Sequence, residues 1–321
     1  MSESKFKNPI FPDGADPWML KHKDSNYYLT VTRGDRIQLW RSRSMTGLAK
    51  AAPVTVWTPE PNGPYSYNLW APELHYIEDR WYMYYTANDG GGDDTRRVCV
   101  LQLEGEDPLK DKWIFKGVVN TAYAGLDGTV LSHKGELYFF YSGYGYFPEY
   151  GSAIYAAKME NPWTLTGQNV LISAPTEAWE KQGGMAINEG PVFLRRNGKI
   201  FLVFSASATW SDDYCLGMTS ISENADLLDS AAWEKHPGPV FGKNVEQGVY
   251  APGHNSFTVS PDGSEDWIIY HAYSYSEMDM NRSEGSKRST RMQRFGWQVD
   301  GTPDFGDAIS TNQWIPSPSG K

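Results

Sequence analysis

Three carboxylates stand where short strands begin: Asp16 in "GADPWM", Asp127 in "GLDGTVL" and Glu189 in "INEGPVFL". Each comes about ten residues before an aromatic, β-branched run, and each has a proline or glycine close by that lets the backbone turn inward. The same place in two further segments holds Trp70-Ala71, in "YNLWAPELHYI", and His254, in "GHNSFTVS". A single aspartate before Pro or Gly is ordinarily a turn residue. Three carboxylates in one repeat phase are not explained that way. Brought together they repel one another unless a proton or a cation compensates. A carboxyl that keeps its proton beside one that stays ionised is what general acid–base chemistry requires.

The elements that must position these groups form a repeat. "NYYLTVT", "RWYMYYT", "ELYFFYS", "KIFLVFS" and "DWIIYHA" start about 54 to 67 residues apart. Each has the composition of a strand. Each is preceded by a second strand-like stretch ("DPWMLKH", "APELHYI", "DGTVLSH", "EGPVFLR", "HNSFTVS"), and turn residues such as "HKGE", "RRNGK" and "SPDGSED" join the two. Further strand candidates are "IQLWRS", "RVCVLQL", "SAIYAAKM", "YCLGMTS" and "TRMQRFGW", while "ENADLLDS" is at most a short helix in a loop. Five four-stranded units without helices predict an all-β, five-bladed β-propeller occupying residues 1–321 as one domain. A β-sandwich of unequal strands is the alternative, but it would not explain the recurring order of features. In a propeller, equivalent positions of different blades converge on the axis, so the acids would share one central pocket.

Composition narrows the function classes. Of the 321 residues 40% are hydrophobic and 14% aromatic, with 13 Trp and 20 Tyr, which suits strands and flat ligands such as sugar rings. The net charge of −10 disfavours nucleic acid as a partner. The two cysteines, Cys99 and Cys215, have neither disulfide-framework nor metal spacing and are expected to be free thiols. No apolar run approaches a membrane span. The start, "MSESKFKNPIFPDG", shows no apolar leader core, so a cytoplasmic location is expected.

Together, "GADPWM", "YNLWAPELHYI", "GLDGTVL", "INEGPVFL" and "GHNSFTVSPDGSEDWIIYHAY" resemble glycoside hydrolase family 43, five-bladed propellers that cut arabinose- and xylose-containing polymers. The resemblance spans all five repeats; "GADPW" replaces the more usual Arg-Asp-Pro, keeping the acid but losing an arginine. It implies an inverting hydrolysis, with Asp16 as general base, Glu189 as general acid and Asp127 tuning and orienting the acid. Acid and base would stand roughly 6.5–9.5 Å apart, leaving room for a water. The resemblance also implies that Arg291 reaches the acid or Asp127, with Arg288 and Arg294 competing for that role. It makes Trp70 the aromatic that stacks on the sugar, with Asn68 and Trp18 lining the same pocket; core packing is the alternative for each. No cofactor is needed for the chemistry. A structural calcium beside His254 is implied, with a metal-free, hydrogen-bonded histidine as the alternative. Within the family the sequence is most similar to exo-acting α-L-arabinofuranosidases that release arabinose from α-1,5-arabino-oligosaccharides. A β-xylosidase, an arabinoxylan-debranching enzyme and a non-catalytic sugar-binding propeller are the rival readings. The last of these need not keep all three acids.

Overall fold

The computed structural model describes residues 4–283 and 287–320. A short strand, β1 (Lys5–Phe6), leads into five four-stranded antiparallel meanders, each built from one continuous piece of chain. Blade 1 holds β2 (Trp18–Lys21), β3 (Tyr27–Thr30), β4 (Ile37–Ser42) and β5 (Val54–Trp57). Blade 2 holds β6 (Tyr67–Ile77), β7 (Arg80–Asn88), β8 (Arg97–Glu104) and β9 (Lys112–Val118). Blade 3 holds β10 (Gly125–His133), β11 (Glu136–Gly143), β12 (Ala153–Asn161) and β13 (Thr164–Ser173). Blade 4 holds β14 (Asn188–Arg196), β15 (Lys199–Ala206), β16 (Cys215–Ser222) and β17 (Glu234–Lys235). Blade 5 holds β18 (Tyr250–Val259), β19 (Asp266–Tyr273), β20 (Ser289–Trp297) and β21 (Pro303–Asp304), and β22 (Ile315–Pro316) returns to pair with β1. The expected five-bladed propeller is the fold. "ENADLLDS" forms turns rather than a helix.

The five aromatic runs supply the second strands β3, β7, β11, β15 and β19. Two-residue turns join the first and second strands of three blades: Glu78-Asp79, Lys134-Gly135 and Asn197-Gly198, all with positive φ. That is the turn whose twist matches the twist of the strands it joins. Alternation along the strands sends large side chains into the gaps between blades. Five hydrophobic clusters result, one per gap, from Trp40, Trp267 and Met292 between blades 5 and 1 to Val203, Tyr270 and Phe241 between blades 4 and 5. Each fully buried large side chain contributes roughly 1.5–3 kcal/mol of transfer free energy.

The ring is closed by the N-terminal segment. The short β21 pairs only with Gly296 and Trp297 of β20. Beside the other end of β20, Phe11 bridges Thr290, and the Asn8 side chain both donates to Met292 O and accepts from Met292 N–H, each at 3.0 Å. Phe6, Ile10 and Ile315 pack into the cluster between blades 5 and 1 beneath this strap.

Candidate active site

At or just before the first strand of each blade, in one phase, stands a residue in the left-handed region: Asp16 (φ 53), Ala71 (φ 43), Asp127 (φ 52), Gly190 (φ 56) and His254 (φ 45); Asn68 of β6 and Ala251 of β18 are left-handed as well. In the ladders of blades 2 to 5 the register shifts around these positions, so they are bulges that turn the chain toward the axis. The shared phase expected for the acids therefore needs one correction. Glu189 stands one residue ahead of the bulge position. It pairs with Ser205 as Trp70 pairs with Thr86 and Leu126 with Ser142. Glycine occupies the bulge of blade 4 because the His254 ring leaves little room there, a Cβ lying 3.3 Å from Nδ1, and the acid comes from the preceding position.

A ring of acceptors from neighbouring second strands holds these bulges. Thr32 Oγ1 accepts from Ala71 N–H (2.7 Å), Thr86 Oγ1 from Asp127 N–H (3.0 Å), Ser205 Oγ from His254 N–H (2.7 Å) and His271 Nδ1 from Asp16 N–H (3.1 Å). Blade 4 departs from the pattern. Gly190 N–H donates to Asp127 Oδ2 at 3.1 Å, and Ser142 Oγ, at the matching place on β11, is buried with no partner among the described residues. Asp127 thus takes the place of a hydroxyl and ties the backbone beside Glu189. Left-handed non-glycine residues cost on the order of 1–3 kcal/mol each, and this bonding offsets that strain.

The two carboxylates that face the axis have opposite surroundings. Asp16 is buried, which alone would raise its pKa, but Arg288 Nη1 lies 2.9 Å from Oδ1, with His254 Nδ1 at 3.5 Å and His271 Nδ1 at 3.3 Å. Thr32 donates to Oδ2 at 2.6 Å. Arg288, with His254 beside it, outweighs burial and holds the carboxyl well below the usual range. Glu189 is half-buried in the mouth. Desolvation and the charge of Asp16 push it up to about 7, against a bond from Tyr214 and the more distant Arg288 and Arg96. Asp127 is raised well above its ordinary value by burial, by Glu189 and by Asp16. Asp127, Glu189 and His254 each bring one polar atom within 4.8 Å of the others, so the two raised carboxyls sit together as one proton-holding pair.

The remaining expected residues divide. Trp70 is half-buried at the mouth, and the Arg96 guanidinium covers one of its faces at 3.8 Å. Asp93 holds Arg96 in turn, at 2.6 and 3.1 Å. Asn68 is half-buried near the same edge and donates to Asn88 at 3.0 Å. Trp18 belongs to the channel wall: its Nε1 donates to Leu74 O at 2.9 Å and its ring lies against His75. The assignment of Arg291 is corrected. It is fully buried inside blade 5, where it donates to Ser289 and Ser274, and among the described residues it bonds none of the three acids. Arg288, just before β20, reaches the site instead, because the end of that strand nearest the mouth is its beginning. Tyr214 and His271 were not singled out in the sequence. The nearest signal was His271 itself, one place before the position where the other repeats end in Thr or Ser.

The residues around His254 do not fit a calcium ion. Calcium prefers six to eight oxygen ligands; among the described residues the imidazole groups only with Asp127 and Glu189, one polar atom of each within 4.8 Å of the others, so most of the ligands would have to be waters. The cavity His254 shares with Asp16, Trp18, Glu73 and Asn255 measures only about 10 Å³, scarcely room for one water. His254 Nδ1 faces Asp16 instead, which is the metal-free alternative.

A family model described as glycosyl hydrolases family 43 matches residues 6–303. The chain belongs to glycosyl hydrolase family 43. An extracellular exo-α-(1→5)-L-arabinofuranosidase of Streptomyces avermitilis is 40% identical over 309 residues; the match covers 95% of this chain and 64% of that protein, so the chain spans less than two thirds of its relative. An enzyme of the same name from Streptomyces chartreusis is 40% identical over 277 residues, covering 85% of this chain and 84% of that one. A solved α-L-arabinofuranosidase from Lactobacillus brevis superposes with a TM-score of 0.90 at 37% identity, covering 96% of this chain and 98% of that one. These names overturn the cytoplasmic location expected from the first residues, since both Streptomyces relatives are called extracellular. That expectation rested on the absence of a leader. The fold itself does not mark a compartment: Cys99 and Cys215 are buried free thiols, which require neither a reducing nor an oxidising environment.

Proposed function

We propose that this family 43 propeller is an inverting, exo-acting α-L-arabinofuranosidase that releases single arabinose units from α-1,5-linked arabino-oligosaccharides. The observation that carries the reading is the contrast between Asp16, kept ionised above all by Arg288, and Glu189, lifted to about 7 in the same mouth. One carboxylate is prepared to take a proton and one to give it, at the same pH. Asp16 removes a proton from a water as its oxygen bonds to the anomeric carbon. The glycosidic C–O bond breaks on the opposite side, and the Glu189 proton goes to the leaving oxygen. Asp127 bonds the backbone beside the acid and shares the proton-holding pair with it. The half-buried face of Trp70, backed by Arg96, suits the apolar face of a sugar ring. No cofactor enters the steps. The relatives' names support arabinofuranosyl units as substrate and an exo mode of action.

The test is hydrolysis of α-1,5-arabino-oligosaccharides beside aryl α-L-arabinofuranosides and aryl β-D-xylosides, with products followed over time. Arabinose released one unit at a time is expected. Preferential cleavage of the xyloside, or internal cutting to shorter oligomers, would overturn the substrate or the exo mode.

A further inference from the structure

The acid and the base are joined by two side chains from other strands. Tyr214, immediately before β16, is fully buried, and its hydroxyl donates to Glu189 Oε1 at 2.7 Å. Its ring stacks on the His271 imidazole of β19, with centroids 5.6 Å apart and planes 8° from parallel. His271 Nδ1 accepts the backbone N–H of Asp16. An accepting Nδ1 fixes the imidazole as the neutral Nε2–H tautomer, and burial pushes the His271 pKa down to about 3, so the ring carries no charge of its own into the site. The stack has no slack. Gly253, opposite His271 in the ladder, would bring a Cβ to 2.4 Å from the Tyr214 ring. The path runs from acid carboxyl to tyrosine hydroxyl, from ring to ring, and from imidazole to the backbone of the base.

We propose that Tyr214, braced on His271, is a positioning residue that sets the orientation of Glu189 and its separation from Asp16. The proposal rests on the acid and base roles given above. An inverting site tolerates little variation in that separation, because a water must fit between the base and the anomeric carbon. Tyr214 also leaves the acid only one free oxygen. With Oε1 held as an acceptor, Oε2 is left to carry the proton and to face the leaving group. The other groups that act on Glu189 are Asp16, Arg288, Arg96 and its partner Asp127, with the Tyr144 phenol close enough to feel its charge. None of them makes this bond to Oε1.

Tyr214→Phe keeps the ring and the stack and removes only the hydroxyl. The expected result is a fall in kcat of about 10–100-fold on arabino-oligosaccharides, less than the roughly 10²–10⁴-fold of a lost acid, because the carboxyl itself remains. A smaller fall is expected on aryl arabinofuranosides with good leaving groups, with KM little changed. The bond favours the ionised carboxylate, so its loss moves the basic limb of the pH–rate curve to higher pH. A role in packing alone would lower both substrates equally and leave the limb where it is, and that result would overturn the proposal. Gly253→Ala is the second variant. It keeps the hydroxyl but displaces the ring, and the same leaving-group dependence is expected; unchanged kinetics on both substrates would contradict the strut. Glu189→Gln run in parallel separates the two levels of the reading. Absence of leaving-group dependence there sinks the acid assignment itself. Its presence there and absence in Tyr214→Phe sinks the positioning role alone.

Discussion

Asp16 and Glu189 bear the same functional group, and their neighbours set them apart. A guanidinium at 2.9 Å, with Thr32 and His254 beside it, holds the first ionised, whereas desolvation dominates the second. Two predictions follow from that difference. Glu189→Gln removes a proton donor but keeps the shape. Hydrolysis of natural linkages is expected to fall by about 10²–10⁴-fold, and that of aryl arabinofuranosides with acidic phenols far less. Asp16→Asn removes the base, and both substrate classes should suffer alike. Steady-state kinetics across a leaving-group series measures this, and equal dependence in the two variants would mean the roles are misassigned. The pH–rate curve follows with its signs. On the proposed mechanism activity needs Asp16 ionised, which is lost only as pH falls below the usual carboxylate range, and Glu189 protonated, which is lost as pH rises through about 7. kcat/KM should therefore hold a plateau on the acid side and fall near neutrality. In Asp127→Asn the repulsion that keeps a proton on the pair is gone, and the basic limb moves to lower pH. All three acids were legible in the sequence, because strand starts beside Pro and Gly recur in nearly one phase, Glu189 standing one residue ahead of the others. The arginine was not. Arg288 and Arg291 lie three residues apart in one basic stretch, and only the direction of β20 decides which of them meets the axis.

At the scale of the strand, the first strand of each blade and the end of the preceding blade's second strand act as a unit. Thr86 and Asp127 show how. Thr86→Val replaces a hydroxyl by a methyl and leaves the buried Asp127 N–H without an acceptor. A loss of about 1–3 kcal/mol is expected in denaturant unfolding, together with reduced kcat, because the left-handed bulge carrying Asp127 loses its tie. Ser142→Ala, at the blade where Asp127 has replaced the hydroxyl, should cost much less. Equal costs would show that the ring of acceptors does not hold the bulges. The hydroxyls were present in the repeats as Thr32, Thr86, Ser142 and Ser205, but their use was hidden, because the bonds run between blades and no periodicity within a strand reports them. The same reason concealed Tyr214, which reaches Glu189 from outside any recurring phase. Second and third strands could be read from their aromatic and β-branched runs. The fourth could not: β17 and β21 are two residues each, and β9 and β13, though seven and ten residues long, are outer strands in which exposed and half-buried residues leave no clear alternation.

Over the whole molecule, five blade interfaces bring the acids to one mouth only if the circle is closed. Closure depends on the segment beside β20, where Asn8 makes two backbone bonds to Met292. Asn8→Ala should destabilise the chain by about 2–3 kcal/mol and lower the thermal midpoint while leaving the pH profile of the residual activity unchanged. A displaced pH profile would mean that closure and site geometry are coupled more tightly than the strap's contacts suggest. The number of blades was legible because the repeat is long and regular, whereas the strap has no counterpart in the repeat. The central claim joins all three scales: the propeller holds a base and an acid on opposite sides of a bond, with a water between. Proton NMR of the first product from an α-L-arabinofuranoside tests it most directly. The account predicts initial appearance of β-L-arabinofuranose; initial appearance of the α anomer would contradict it and would make one of the carboxylates a nucleophile.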